Sequence, residues 1–199
     1  MKLCGVLIAS RGRHERLIET IKSVAATSSA ENVQICLRLD GDDYPTLGVV
    51  PLIYSIYPDA RVLIGPRNKG YSSLSEFYTE MALHCNARWI VCTNDDITFE
   101  GEPGWDNQLA IIPTDGVLVE PEFYQLGPSK YPSGSCCILP IVPNRCWEKF
   151  GQHMLPDPVD IGLRQLLVDN HGWRVSLLKG MWANHARDTG DVLVEHRQL

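Results

Sequence analysis

Apolar residues run almost unbroken from Leu3 to Ala9 and stop at Ser10-Arg11-Gly12-Arg13. Beyond that stop, Leu17, Ile18, Ile21, Val24 and Ala25 recur at helical spacing and predict an amphipathic helix. Val33, Ile35, Leu37 and Leu39 then alternate with Gln34, Cys36 and Arg38, the period of a strand, which ends at Asp40-Gly41-Asp42-Asp43. A short strand over Arg61 to Ile64 closes at Gly65-Pro66-Arg67-Asn68-Lys69-Gly70. A helix is expected from Ser73, where Glu76 three residues on completes a capping box, with Leu74, Phe77, Tyr78, Met81 and Ala82 as its buried stripe. Arg88 to Thr93 is the next strand, and it runs into Asn94-Asp95-Asp96. The order β-α-β-β-α-β predicts a layered α/β domain with much parallel sheet.

The second half is less regular. Pro/Gly-rich loops are expected over Glu100 to Trp105 and Pro121 to Gly134, strands around Ser135 to Ile141 and Arg174 to Leu178, and a helix after Pro158. No repeat, low-complexity tract or linker divides the 199 residues, so one domain is expected, with a nucleotide half (1–99) and an acceptor half (100–199). Hydrophobic content of 44% and charged content of 21% are those of a globular protein. The net charge of −6 argues against a chain held to nucleic acid by charge alone. The seven cysteines are odd in number, form no C-x-x-C pair and lie partly in apolar runs. They are expected to be reduced thiols of a cytoplasmic protein. The N-terminal apolar run is too short and too punctuated to be expected to act as a signal peptide, and no apolar run approaches membrane-spanning length.

Asp95 and Asp96 change this picture. A carboxylate taken out of water costs several kcal/mol unless it is paired or metal-bound, and two stand together at the end of an apolar strand. If the sheet is parallel, four strand ends project from one edge: Ser10 to Arg13, Asp40 to Asp43, Arg67 to Gly70 and Asn94 to Asp96. Arginines and a lysine beside carboxylates suit a place where a phosphorylated ligand meets a divalent cation.

These segments, in this order, resemble the family 2-like glycosyltransferases of the GT-A fold. The resemblance covers almost the whole chain. Gly104-Trp105-Asp106 is similar to a Gly-Trp-Asp that follows the acidic motif in small members. Cys146 to Arg164 is similar to the segment that supplies the catalytic carboxylate, and Gly172-Trp173-Arg174-Val175 with His185 to the closing strand. The resemblance implies a nucleotide-diphospho-sugar transferase fold, a Rossmann-like, mostly parallel mixed sheet flanked by helices. It implies a nucleotide-sugar donor, UDP-linked by preference, held with Mn²⁺ or Mg²⁺. Asp95, Asp96 and His185 are the implied metal ligands. Ser10, Arg11, Arg13, Asp40, Asp42, Arg67, Asn68, Lys69, Gly70, Asn94 and Asp95 are the implied donor contacts. Asp160 is the implied base, the analogy implies inversion, and Trp105, Gly134, Ser135 and Asp157 are assigned to the acceptor. The motif departs from the usual D-x-D in having Asn94 where many members have the first Asp. Acceptors within the family's reach include saccharides, lipid-linked glycans, proteins and hydroxymethylated DNA bases.

Plainer readings stand beside these. Asp40 to Asp43 ahead of Tyr44-Pro45 also suits an ordinary turn. Arg11 and Arg13 also suit a solvated helix start. Asp157-Pro158-Val159-Asp160 also suits a helix N-terminus, which would weaken Asp160 as a base by lowering its pKa. A nucleotidyltransferase on a related sheet and a non-catalytic nucleotide-binding module are the alternative functions. The first usually needs a longer Gly-rich, Lys-bearing loop than Ser10 to Arg13 provides.

Overall fold

The computed structural model describes residues 1–67, 73–126, 129–132, 139–146 and 163–185. One nine-stranded sheet runs through them in the order β3-β2-β1-β4-β8-β6-β9-β5, with β7 added at β6. The first half is parallel: β1 (Lys2–Ser10) lies between β2 (Val33–Asp40) and β4 (Ala87–Asn94), and β3 (Arg61–Gly65) lies on the outer side of β2. The second half is mixed. β5 (Ile97–Gly101) is antiparallel to β9 (Arg174–His185), and β9 is parallel to β6 (Val117–Leu126). β7 (Ser129–Pro132) extends β6, and β8 (Ile141–Pro143) pairs antiparallel with both β4 and β6, joining the halves.

Helices cover both faces of the central strands of the parallel half, which is why β1 and β4 read as apolar runs, while β2 is buried throughout in spite of its alternating sequence. Every residue of β2 is buried, including Gln34, Arg38 and Asp40. On one face, Leu17, Ile18, Ile21 and Val24 of α1 (His14–Thr27) pack with Ile8, Trp89, Phe99 and Trp105. On the other, Tyr78, Met81 and Ala82 of α4 (Ser73–His84) pack with Leu7, Cys36, Leu118, Leu163 and Leu167. The close approach of the turn between α4 and β4 to β1 needs a glycine at position 5, where a Cβ would lie 2.1 Å from Cys85 Sγ. All five described cysteines are free and buried. No helix among the described residues is long and apolar enough to cross a membrane.

The β-α-β-β-α-β order needs one correction. Two short helices, α2 (Tyr44–Gly48) and α3 (Val50–Ile56), connect β2 to β3. Each has proline in its first turn, and only Thr46 and Ile53 of the two are buried, too few to give a helical period. The expected loop from Pro121 instead contains the end of β6. Pro121 is accommodated because the pairing with β9 shifts between Pro121 and Phe123, a bulge where a missing N–H does little harm. β9 runs well beyond Leu178, and Gly180, at φ +73°, breaks its alternation. The expected loop at Glu100 is likewise β-strand through Gly101. Of the expected strand at Ser135 to Ile141 and the helix after Pro158, the first parts lie outside the described residues. The described parts are β8 from Ile141, then Leu163 and Arg164 in α-helix and a π-helical segment, Gln165–Asn170.

Candidate functional site

Because β1, β2, β3 and β4 are parallel, their C-terminal ends share one edge of the sheet. Register sets Ser10 beside Leu39, Ala9 beside Asn94 and Asp40 beside Gly65. Ser10, Arg11, Arg13, Asp40, Asp42, Asn94, Asp95 and Asp96 therefore converge, as expected of a crevice at strand ends.

The centre is the turn Asp95-Asp96 between β4 and β5. Asp95 is fully buried. Ser10 donates to its Oδ2 at 2.6 Å, and an Arg13 nitrogen lies 2.5 Å from its Oδ1. Its main-chain carbonyl accepts from the Thr20 hydroxyl of α1 at 3.0 Å. Burial pushes the Asp95 carboxyl up to about 6, against the opposing pull of Arg13 and Ser10. Asp96 takes the other end of the same guanidinium at 2.9 Å, and His185 Nε2 lies 3.3 Å from its Oδ2. Burial acts to raise Asp96 too, but the hydrogen bond from His185 and the charge of Arg13 outweigh it and hold this carboxyl below its ordinary value. His185 reaches Asp96 because β9 pairs it with Ile97, the next residue along. Asn94 is tied away from the pair, its Oδ1 accepting from the Tyr78 hydroxyl at 3.2 Å.

The second cluster sits at the end of β2. Arg11 bonds Asp40 at 2.9 Å and grips both oxygens of Asp42 at 2.5 and 3.2 Å. The Arg11 bond is the main influence holding Asp42 below the usual carboxylate range, with the charge of Arg67 adding to it. Asp43 serves the backbone: it accepts from the N–H of Gly12 at 2.7 Å and caps α2 through the N–H of Thr46. Behind Asp40, Arg38 is buried, with its guanidinium 3.6 Å from Asp40, 2.8 Å from Glu80 and over the Phe77 ring at 4.5 Å. Thr20 is marked in the sequence only as a polar residue beside the apolar stripe of α1, and Arg38 is not marked, since it falls on the polar side of the β2 alternation.

Trp105, assigned to the acceptor, is the clear correction. It is 1% exposed, it packs against Phe99 at 5.7 Å between centroids, and its indole N–H donates to Thr27 Oγ1. It has no face to offer a ligand. Asn68, Lys69, Gly70, Gly134, Ser135, Asp157 and Asp160 lie outside the described residues.

Among the described residues no group of three or more His, Cys, Asp or Glu side chains is arranged to hold a metal ion. Two donors do fit one. Asp96 Oδ1, like Asp95 Oδ1, is buried without a hydrogen-bond partner among the described residues; Asp95 Oδ1 lies 2.5 Å from an Arg13 nitrogen, whereas the Asp96 carboxylate adjoins the imidazole of His185. Hard cations at phosphate sites commonly use one or two protein ligands and complete their shell with ligand oxygens and water.

No family model matches the chain, and no curated protein matches it. Solved structures do. S. aureus TarS 1–349 in complex with UDP-GlcNAc superimposes with a TM-score of 0.71 at 12% identity, covering 98% of this chain and 61% of that one. The mannosyltransferase PcManGT from Pyrobaculum calidifontis, in complex with GDP-Man and Mn²⁺, gives 0.70 at 12% identity, covering 98% and 60%. The fold is that of a GT-A glycosyltransferase. The chain spans about 60% of each of those structures, and 36% of the longer TarS structure, against which the TM-score is 0.69 at 10% identity.

Proposed function

We propose that this GT-A chain is a glycosyltransferase that moves a sugar from a nucleotide-diphosphate donor, UDP-linked by preference, to an acceptor hydroxyl with inversion. The observation that carries the reading is the convergence of Ser10, Arg13, Asp95, Asp96 and His185 on one point of the strand-end edge. Fold neighbours bound to UDP-GlcNAc and to GDP-Man with Mn²⁺ support it.

In this reading residues 1–99 frame the donor. Asp40 and Asp42, held by Arg11, face the nucleoside. Asp96 and His185 are the residues that would hold Mn²⁺ or Mg²⁺, which when bound offsets charge on the leaving diphosphate. Asp95 plays a different part. With both oxygens engaged by Ser10 and Arg13, it fixes the turn that presents Asp96. Asp160 takes the proton from the acceptor hydroxyl as it attacks the anomeric carbon. An ion pair ties Arg164 to the sheet, its Nε 3.1 Å from the fully buried Glu120 of β6.

A thermal-shift screen of UDP-, GDP- and TDP-sugars with and without Mn²⁺ tests the reading. A rise in melting temperature that needs both nucleotide and Mn²⁺ is expected. No response to any donor would overturn it in favour of a function without a nucleotide sugar.

A further inference from the structure

Arg38 places a guanidinium where β2 has room for a core side chain. Leu37 and Leu39 pack on the α1 face of the sheet, so alternation turns Arg38 and Asp40 to the α4 face together with Cys36. Arg38 is 3% exposed, and a charge so buried is costly unless it is paired and its donors are used. Here every nitrogen has a partner. Nε donates to Glu80 of α4 at 2.8 Å. One terminal nitrogen donates to the Leu39 carbonyl and lies 3.6 Å from Asp40 Oδ1, and the other donates to the Pro66 carbonyl at 2.9 Å. The group also lies over the Phe77 ring, 4.5 Å from its centroid. Gly65, which register sets beside Asp40, leaves the space: a Cβ there would collide with the guanidinium.

These contacts fix the guanidinium from three sides and leave its charge against Asp40. The other oxygen of Asp40 takes Arg11 at 2.9 Å. The two arginines are not equivalent. The Arg11 side chain is 37% exposed and is shared with Asp42, so a ligand arriving at the edge can draw it away. Arg38 approaches from inside the sheet, where no ligand competes for it, and holds Asp40 whether or not Arg11 stays. Packing alone does not call for this arrangement, since apolar side chains of similar volume commonly serve a fold as well as a buried ion pair does. What the guanidinium adds is a fixed direction for a carboxylate at the strand-end edge.

Resting on the glycosyltransferase reading, we infer that Arg38 is a positioning residue for the donor, aiming the Asp40 carboxylate at the nucleoside from inside the sheet. A double-mutant cycle on the full chain tests it, read by calorimetric titration of UDP, or of GDP if the parent binds only GDP, with Mn²⁺ present. Arg38→Met should weaken nucleotide binding at least about fivefold, about the worth of one hydrogen bond. Asp40→Ala should weaken it at least as much. In the Asp40→Ala background, Arg38→Met should change the affinity by less than about twofold, because the group it aims is gone. A merely structural arginine would lower affinity equally in both backgrounds. The factor by which Mn²⁺ tightens binding should stay within about twofold of the parent in Arg38→Met, since Arg38 touches neither Asp96 nor His185. If Arg38→Met does not fold, Arg38→Gln, which keeps a donor for the carbonyls and removes the charge, decides on the same criteria. Undiminished binding in either single variant, or an equal loss with and without Asp40, overturns the positioning role and leaves the nucleotide-sugar reading standing. A parent that binds neither UDP nor GDP overturns that reading, and the positioning role with it.

Discussion

Replacing Arg13 with methionine keeps the length of the side chain and removes the charge that the acidic pair shares. In the structure one guanidinium nitrogen lies 2.5 Å from Asp95 and another 2.9 Å from Asp96. A pair of unit charges about 4 Å apart interacts by about 4 kcal/mol at an effective dielectric constant near 20. Asp95 is fully buried, so its share is poorly screened, but the Arg13 side chain is 36% exposed, which reduces the net value. We expect Arg13→Met to lose about 2–3 kcal/mol at pH 7.5. The loss has a pH signature. Burial already holds Asp95 near 6, above its value in the unfolded chain. Removing Arg13 raises it further, so ionised Asp95 opposes folding more strongly in the variant. An acid whose folded pKa is raised loses stability as pH climbs from the unfolded value through the folded one. The deficit of the variant should therefore be largest at pH 7.5 and shrink toward pH 5, where Asp95 accepts a proton. Urea unfolding of both proteins at half-unit steps from pH 5 to 8 measures this. A deficit that is constant across the range, or that grows as pH falls, would refute the placement of Arg13 between the two carboxylates.

Gly5→Ala puts a methyl group 2.1 Å from Cys85 Sγ, and a loss of about 1–3 kcal/mol is expected in the same unfolding assay; adding Cys85→Ala should recover part of it. Trp105→Ala empties a core position and should cost about 3–5 kcal/mol, whereas Trp105→Phe should cost less, with UDP affinity by calorimetry unchanged in the latter. Asp160→Asn should lower transfer by about 10²–10⁴-fold while leaving UDP binding intact; near-parental transfer would require another base.

The parallel half was legible because its chemistry and its periodicity agree. Apolar runs end abruptly in charged turns, and a parallel sheet turns four such ends into one edge without further information. Asp95 and Asp96 stood out because adjacent carboxylates at a buried strand end need compensation, and Ser10, Arg13 and His185 supply it. Which carboxylate does what was not legible. It depends on Arg13 reaching back across the edge, and on β9 continuing far enough to pair His185 with Ile97. β6 and the continuation of β9 past Leu178 were hidden by a proline and a glycine that normally end strands but here sit at bulges. Trp105 misled because its loop-like context, after Pro103-Gly104, resembles an exposed platform, whereas the left-handed Gly104 turns the indole inward against Phe99. Arg38 reads from the alternation as the polar side of a half-exposed strand, and burial of both faces of β2 reverses that reading.

The central claim is that Asp96, with His185, holds a divalent cation against a nucleoside diphosphate. Calorimetric titration of UDP into the parent and into Asp96→Asn, each with Mn²⁺ and with EDTA, tests it most directly. Mn²⁺ should tighten UDP binding to the parent at least about tenfold and have little effect on the variant, as expected when a ligand oxygen for the cation is lost. UDP binding that ignores Mn²⁺ in the parent, or a Mn²⁺ effect that persists in Asp96→Asn, would contradict it.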